Sequence, residues 1–249
     1  MASIEPELIT RVGNFPITNT IVTTIIVDIV LLGIVFYVYR NLKKIPGKFQ
    51  SAIELLVEYF YNITRQVSGD RVRAIFPWVA SFFIFIFVSN LTGLLPGVGS
   101  IGIWEADHGE RHLIPLLRPG TSDFNTTLGL AVVSFFATHI FAVRYLGGRG
   151  YVGHFFRTDP WYLIVVFLFI GVLEIISELV KVASLSFRLV GNIYAGEVVL
   201  ATISNLFAFL APIPFLMLES IVAIVQALVF SMLTMAFMTA MTEAHGGDH

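Results

Sequence analysis

Ser184-Leu185-Ser186-Phe187-Arg188-Leu189-Val190-Gly191-Asn192-Ile193-Tyr194-Ala195-Gly196-Glu197 lies inside an apolar segment, Trp161 to Ala211, that contains no proline. Guanidinium stays protonated at any workable pH, so Arg188 cannot shed its charge. A central membrane arginine costs roughly 2.5–3.5 kcal/mol on insertion scales. It must therefore face water, protein or a counter-charge, and by default it marks an ion path.

Working outward, the composition fits a polytopic membrane protein. Of 249 residues, 56% are hydrophobic and 13% charged, with mean hydropathy +0.83. A net charge of −2 gives nucleic-acid binding no electrostatic support. The absence of cysteine excludes disulfides, thiolate metal sites and cysteine nucleophiles. Residues 1–18 carry Glu5, Glu7 and Arg11 and lack the basic region and cleavage site of a signal peptide. The first apolar segment is expected to be retained, and the whole chain, 1–249, to form one membrane domain.

The first span is expected over 17–40, followed by Arg40, Lys43, Lys44 and Lys48. Inside it Thr20, Thr24 and Asp28 share one helical face. Asp28 is either an acid hydrated near the outer end or a residue lining an aqueous vestibule. Residues 49–67 carry a stripe of Ile53, Leu56, Val57, Phe60 and Ile63/Thr64, which predicts an amphipathic helix lying on the membrane. The next spans are 75–95, with Asn90 near its end, and 124–146, with His139 inside. His139 reads as a packing residue before a relay. Between these spans His108 and His112 stand four apart near Asp107 and Glu110, but glycine and proline surround them, so a solvated loop is the better reading than a metal site. Gly147-Gly148-Arg149-Gly150 lacks the features of a phosphate loop and reads as a turn opening a basic loop to Pro160.

Ten basic residues, from Arg40 through Arg157, fall on one side of these spans; Arg11, Arg111 and Arg118 fall on the other. The positive-inside rule puts the N-terminus outside, and the amphipathic helix, the 147–160 loop and the C-terminus in the cytoplasm. A bacterial plasma membrane is the expected location, with an organellar membrane as its equivalent.

The 51 residues between Pro160 and Pro212 would extend roughly 75 Å as one helix, against a hydrocarbon layer of about 30 Å. Either the segment breaks near Gly191 or it is one steeply tilted helix. Glu174, Ser177, Glu178, Lys181, Ser184, Arg188 and Asn192 keep one helical phase, which favours a single helix. Glu197 lies nine residues beyond Arg188, on the opposite face, so the acids before and after the arginine look into different compartments. The last segment, 213–242, adds Glu219 and Gln226 on a common face. Separately, Glu178 and Lys181 could be only an ion pair, Gln226 an interhelical hydrogen bond, and Glu219 an interfacial acid favouring the helix dipole. Together, Arg188, Asn192, Glu197, Glu219 and Gln226 imply a wet pathway.

The motif Ser-Leu-Ser-Phe-Arg-Leu-x-Gly-Asn-Ile-x-Ala-Gly-Glu resembles the signature of subunit a of F-type rotary ATP synthases. Gln226-Ala227-Leu228-Val229-Phe230-Ser231-Met232-Leu233-Thr234 resembles its partner helix, and Asn90-Leu91-Thr92-Gly93-Leu94-Leu95-Pro96 its second-span ending. The resemblance covers most of the chain and implies an all-α membrane fold: a first span, a surface helix, a two-span hairpin, and two long, strongly tilted helices (161–211 and 213–242) against a rotating ring. It implies that Arg188 faces the ring carboxylates, that Asn192, Glu197, Glu219 and Gln226 line the outer half-channel, and that Glu174 and Glu178 line the inner one. Asp28, Asn90, Lys181 and Ser184 are secondary candidates. Two departures stand out: Glu197 and Glu219 are both acids where one acid and one histidine are common, and Gly93 stands where some members carry Asp. The implied partners are the c-subunit ring, b-type peripheral-stalk subunits, the remaining ATP synthase complex and the bilayer. No cofactor or metal is implied, and nucleotide chemistry belongs to other subunits. Against this stand a secondary transporter, which needs inverted repeats that the sequence does not display, and an intramembrane hydrolase, which needs a nucleophile–base pair or His-Glu-x-x-His.

Overall fold

A computed structural model describes residues 7–13, 15–95, 102–107, 110–155, 164–206 and 211–242. The fold is helical: α1 (Asn19–Arg40), α2 (Lys48–Ser68), α3 (Val72–Leu94), α4 (Phe124–Phe155), α5 (Ile164–Leu206) and α6 (Pro212–Thr242). Two short antiparallel hairpins accompany them, β1 (Leu8–Val12) with β2 (Phe15–Thr18), and β3 (Gly102–Asp107) with β4 (Glu110–Pro115). Among the described residues, four helical stretches are long and apolar enough to cross a membrane: 19–40, a run within 48–94, 124–148 and 212–242. Five charges set α5 apart from these: Glu174, Glu178, Lys181, Arg188 and Glu197.

In a bilayer, apolar area gives helices little reason to associate; close van der Waals packing and hydrogen bonds do that. The centre of the molecule follows this rule. Ala131 and Ala137 of α4 and Ala223 and Ala227 of α6 are fully or almost fully buried and let backbones approach. Ile75, Val79, Phe82, Phe83 and Ile86 of α3 pack with Phe230, Met235 and Met238 of α6 and Leu185 and Leu189 of α5. Buried hydroxyls link the helices: Ser134 to Thr234 at 2.8 Å and Thr127 to Ser186 at 3.1 Å. Outward, α1 exposes Ile25, Ile29, Leu32, Val35 and Phe36, the side chains a lipid-facing helix presents.

Helix α2 turns its stripe inward onto α3. Phe60 is buried and its ring lies 4.3 Å from that of Phe83, while Leu56 and Ile63 pack on the same core; Val57, from the same expected stripe, is exposed. Gly147 adopts φ 72°, ψ 162° inside α4, a backbone conformation that glycine accepts without strain. The turn expected there exists, but helix resumes over 148–155, so that part of the expected basic loop is helical.

The connection from α3 to α4 departs most from the expected solvated loop. After the β3–β4 hairpin, residues 118–123 are buried between helices, with a 3-10 turn at Gly120–Ser122. Close packing explains the glycines. A Cβ on Gly93 would lie 2.2 Å from Pro119 Cγ, and one on Gly120 would lie 2.3 Å from Thr24 Oγ1. His108 and the side chain of His112 lie outside the described residues. Residues 161–163 and 207–210, at the ends of the two long segments, also lie outside them.

Candidate functional site

Helix α5 is continuous through Arg188, and its two sides differ chemically. Leu185, Ser186, Leu189, Ile193 and Gly196 are buried, whereas Ser184, Phe187, Arg188, Gly191, Asn192 and Ala195 are exposed. The four-residue spacing of Ser184, Arg188 and Asn192 makes a polar row on the exposed side. Arg188 Nη2 lies 3.5 Å from Ser184 Oγ and donates toward it. Among the described residues, no carboxylate is in ion-pair reach of Arg188. The row continues into α6, where Asn192 Nδ2 donates to Gln226 Oε1 at 2.7 Å. Gln226 is 5% exposed.

Above this row, four elements converge. Arg118, 8% exposed, reaches from the α3–α4 connection and donates through Nη2 to Glu197 Oε2 at 3.0 Å. The other carboxylate oxygen of Glu197 is buried without a hydrogen-bond partner among the described residues. Glu219 of α6, 9% exposed, lays its carboxylate against Gly196: a Cβ there would sit 1.9 Å from Glu219 Oε1. The absent side chain of Gly196 is what gives the Glu219 carboxylate room against α5. Asn90 ties α3 to both neighbours, donating to the Ala223 carbonyl at 3.3 Å and accepting from Thr121 Oγ1 at 2.6 Å.

Below Arg188, Glu178 is 6% exposed and accepts from Lys181 Nζ at 2.5 Å. The same ammonium lies 4.9 Å from the Phe237 ring centroid. These contacts fit the ion-pair reading of the two residues. Glu174 is half-buried one turn earlier on α5. His139 has a packing environment, with Nδ1 3.0 Å from the Phe135 carbonyl and its ring 4.0 Å from that of Phe135. Asp28 is exposed on α1, apart from these clusters, whereas Thr20 is buried and within 3.4 Å of Asp123 Oδ2. The expected Thr20–Thr24–Asp28 face therefore splits between interior and surface.

The fold thus brings Asn192 to Gln226, Glu197 to Arg118 and Glu219 to Gly196, and leaves Asp28 aside. Arg118, Thr121 and Gly196 did not emerge from the sequence as site residues. Arg118 counted there only as an outer-side charge, because its partner is 79 residues away and no local pattern joins them. Among the described residues, no group of three or more acidic or histidine side chains could hold a metal.

The family model described as ATP synthase A chain matches residues 21–239. The ATP synthase subunit a of Moorella thermoacetica is 35% identical over 245 residues, covering 98% of this chain and all of that protein. ATP synthase subunit a 3 of Pelobacter propionicus is 34% identical, over 90% of this chain and 87% of its own. The Legionella pneumophila (strain Paris) ATP synthase subunit a is 31% identical, over 94% and 90%. A continuous arginine-bearing helix with these family matches along almost its whole sequence makes the chain a member of the ATP synthase A chain family, a multi-pass membrane subunit a.

Proposed function

We propose that this chain, the proton-translocating membrane stator subunit of an F-type ATP synthase, carries protons along two half-channels separated by Arg188. The observation that carries the assignment of residues is the polar row on the exposed side of α5, with an arginine that has no carboxylate partner in its own described chain. Its counter-charge is then a carboxylate of another chain, the rotating c-ring. In this reading Glu197, Glu219, Asn192 and Gln226 line the outer half-channel, with Asn90 bracing it. Glu174 and Glu178, the latter tethered by Lys181, line the inner one, and Ser184 steadies Arg188 between them.

A proton from the outer side neutralises a ring carboxylate. Once neutral, that group can turn into lipid, where an ionised carboxylate is costly. After nearly a full rotation it reaches the inner half-channel and releases its proton. Arg188 favours the ionised ring carboxylate and closes the direct route between half-channels electrostatically. The 43 residues of α5, about 65 Å of helix, exceed the bilayer thickness, which supports a steep tilt along the ring. The N-terminus lies outside and the C-terminus in the cytoplasm, as the basic residues indicate. The b-type peripheral stalk holds this stator against the ring's torque.

Arg188→Ala tests the reading. The complex is expected to assemble, to lose ATP synthesis driven by a proton gradient and to leak protons passively. Normal synthesis by a variant complex of verified subunit composition would refute the assignment.

A further inference from the structure

The assigned pathway leaves two acids beside each other without distinguishing them, and it includes no cation on the outer side. The structure supplies that cation. The segment bearing Arg118 is wedged, not draped: its backbone N–H donates to Thr23 Oγ1 at 3.0 Å, Pro119 fills the space over Gly93, and Gly120 packs against Thr24. From this anchored position the guanidinium meets Glu197. We propose that Arg118 is a positioning residue of the outer half-channel that holds Glu197 as a fixed anion, leaving Glu219 as the carboxyl that takes up the incoming proton and hands it on.

On the pathway proposed above, charge decides between the two acids. A buried carboxylate is tolerated when a cation and hydrogen bonds compensate it. Arg118 compensates Glu197. Glu219 has no hydrogen-bond or ion-pair partner among the described residues. Two carboxylates with one guanidinium carry a charge of −1, and one proton brings the cluster to zero. The cycle therefore needs one exchanging carboxyl: an O–H bond forms on Glu219 from outer water and breaks as the proton passes toward Asn192, Gln226 and the ring carboxylate. Among the described residues, the other ionisable groups on the surrounding elements include Glu7 ahead of β1, Asp123 at the start of α4, and Arg188 and Tyr194 on α5. Asp123 is engaged by Thr20 and Asn125. Helix α3 contributes Asn90, which does not titrate.

The experiment is passive proton conductance through the assembled membrane sector in liposomes, driven by a potassium diffusion potential and measured across pH. Subunit content is matched for wild type, Arg118→Lys, Arg118→Gln, Glu197→Gln, Arg118→Gln/Glu197→Gln and Glu219→Gln. Arg118→Lys is expected to conduct nearly as wild type. Arg118→Gln lets both acids compete for the proton, so its pH profile shifts by about one unit or more, the scale set by removing an adjacent opposite charge. Glu197→Gln conducts poorly, because Arg118 is then left to hold Glu219 ionised. Adding Arg118→Gln to Glu197→Gln restores conductance, which a merely structural arginine would not do. Glu219→Gln blocks conductance. An unshifted pH profile in Arg118→Gln, no gain from adding Arg118→Gln to Glu197→Gln, or wild-type conductance in Glu219→Gln would each overturn the proposal. The Arg188→Ala test stands apart: loss of synthesis there with unaltered Arg118 variants sinks this inference alone.

Discussion

Arg188 is exposed on α5, and among the described residues Ser184 is its hydrogen-bond partner. An exposed arginine on a membrane helix is expensive unless a neighbour supplies charge or water. If a ring carboxylate supplies it, the shape of the cation matters. Lysine offers a compact ammonium where arginine offers a broad planar fork. Arg188→Lys is therefore expected to retain assembly and recover little ATP synthesis, measured in membrane vesicles; wild-type synthesis would show that a bare positive charge suffices. The outer acids give a second residue-scale expectation. Glu197→Ala with Glu219→Ala should slow passive proton flow by roughly 100-fold, the lower range of what a proton-transfer group contributes. Glu174→Ala, on the proposed inner half-channel beside a second acid, should slow it less. Equal flow in wild type and the outer double variant would reduce both residues to interfacial acids. Glu219→His should keep substantial conductance, because imidazole also exchanges protons near neutral pH. The sequence sets the spacing of Arg188, Asn192 and Glu197 because they share one motif on one helix. It does not make Arg118 legible, since an ion pair across 79 residues leaves no periodic trace.

At the scale of elements, the decisive feature is the unbroken phase of α5. The polar positions from Glu174 to Asn192 keep helical spacing, and the backbone is helical throughout. Periodicity could predict that because it is a local property of the chain. The two hairpins and the buried 118–123 turn were not legible. Glycine, proline and mixed charge describe a surface loop and a wedged turn equally well. What distinguishes them is contact with α1 and α3, which only the assembled fold provides. The same contacts yield a prediction. Gly93→Ala would drive a methyl into the Pro119 ring, a rigid neighbour that cannot rotate away. Overpacking of this kind costs about 1–3 kcal/mol. The variant should lower the thermal stability of the assembled membrane sector and displace Arg118 from Glu197, shifting the pH profile of proton conductance in the direction that Arg118→Gln does. Gly129→Ala, whose added methyl meets nothing within 4 Å among the described residues, is the control. Equal melting of Gly93→Ala and the control would show that the 118–123 turn yields easily and does not position Arg118.

For the whole molecule, the proposed function turns on which surface a ring would cover. The exposed side of α5 carries Phe187, Arg188, Gly191 and Asn192, and a Cβ on Gly191 would meet nothing within 4 Å among the described residues. A helix that tolerates an open glycine next to its one central arginine is shaped for close approach by another backbone. The chain contains no cysteine, so any disulfide to an engineered ring cysteine reports the introduced position alone. Gly191→Cys and Phe187→Cys should form such crosslinks under mild oxidation, with ring cysteines placed near the essential carboxylate. Leu189→Cys, on the buried side of the same helix, should not. Disulfide geometry requires Cα atoms within about 7 Å, so the result measures proximity and not mere membership of one complex. Crosslinking at Leu189 with none at Gly191 would rotate α5 by about half a turn relative to the ring. Arg188 would then point away from the ring carboxylates, and the proposed electrostatic barrier would have no partner to act on.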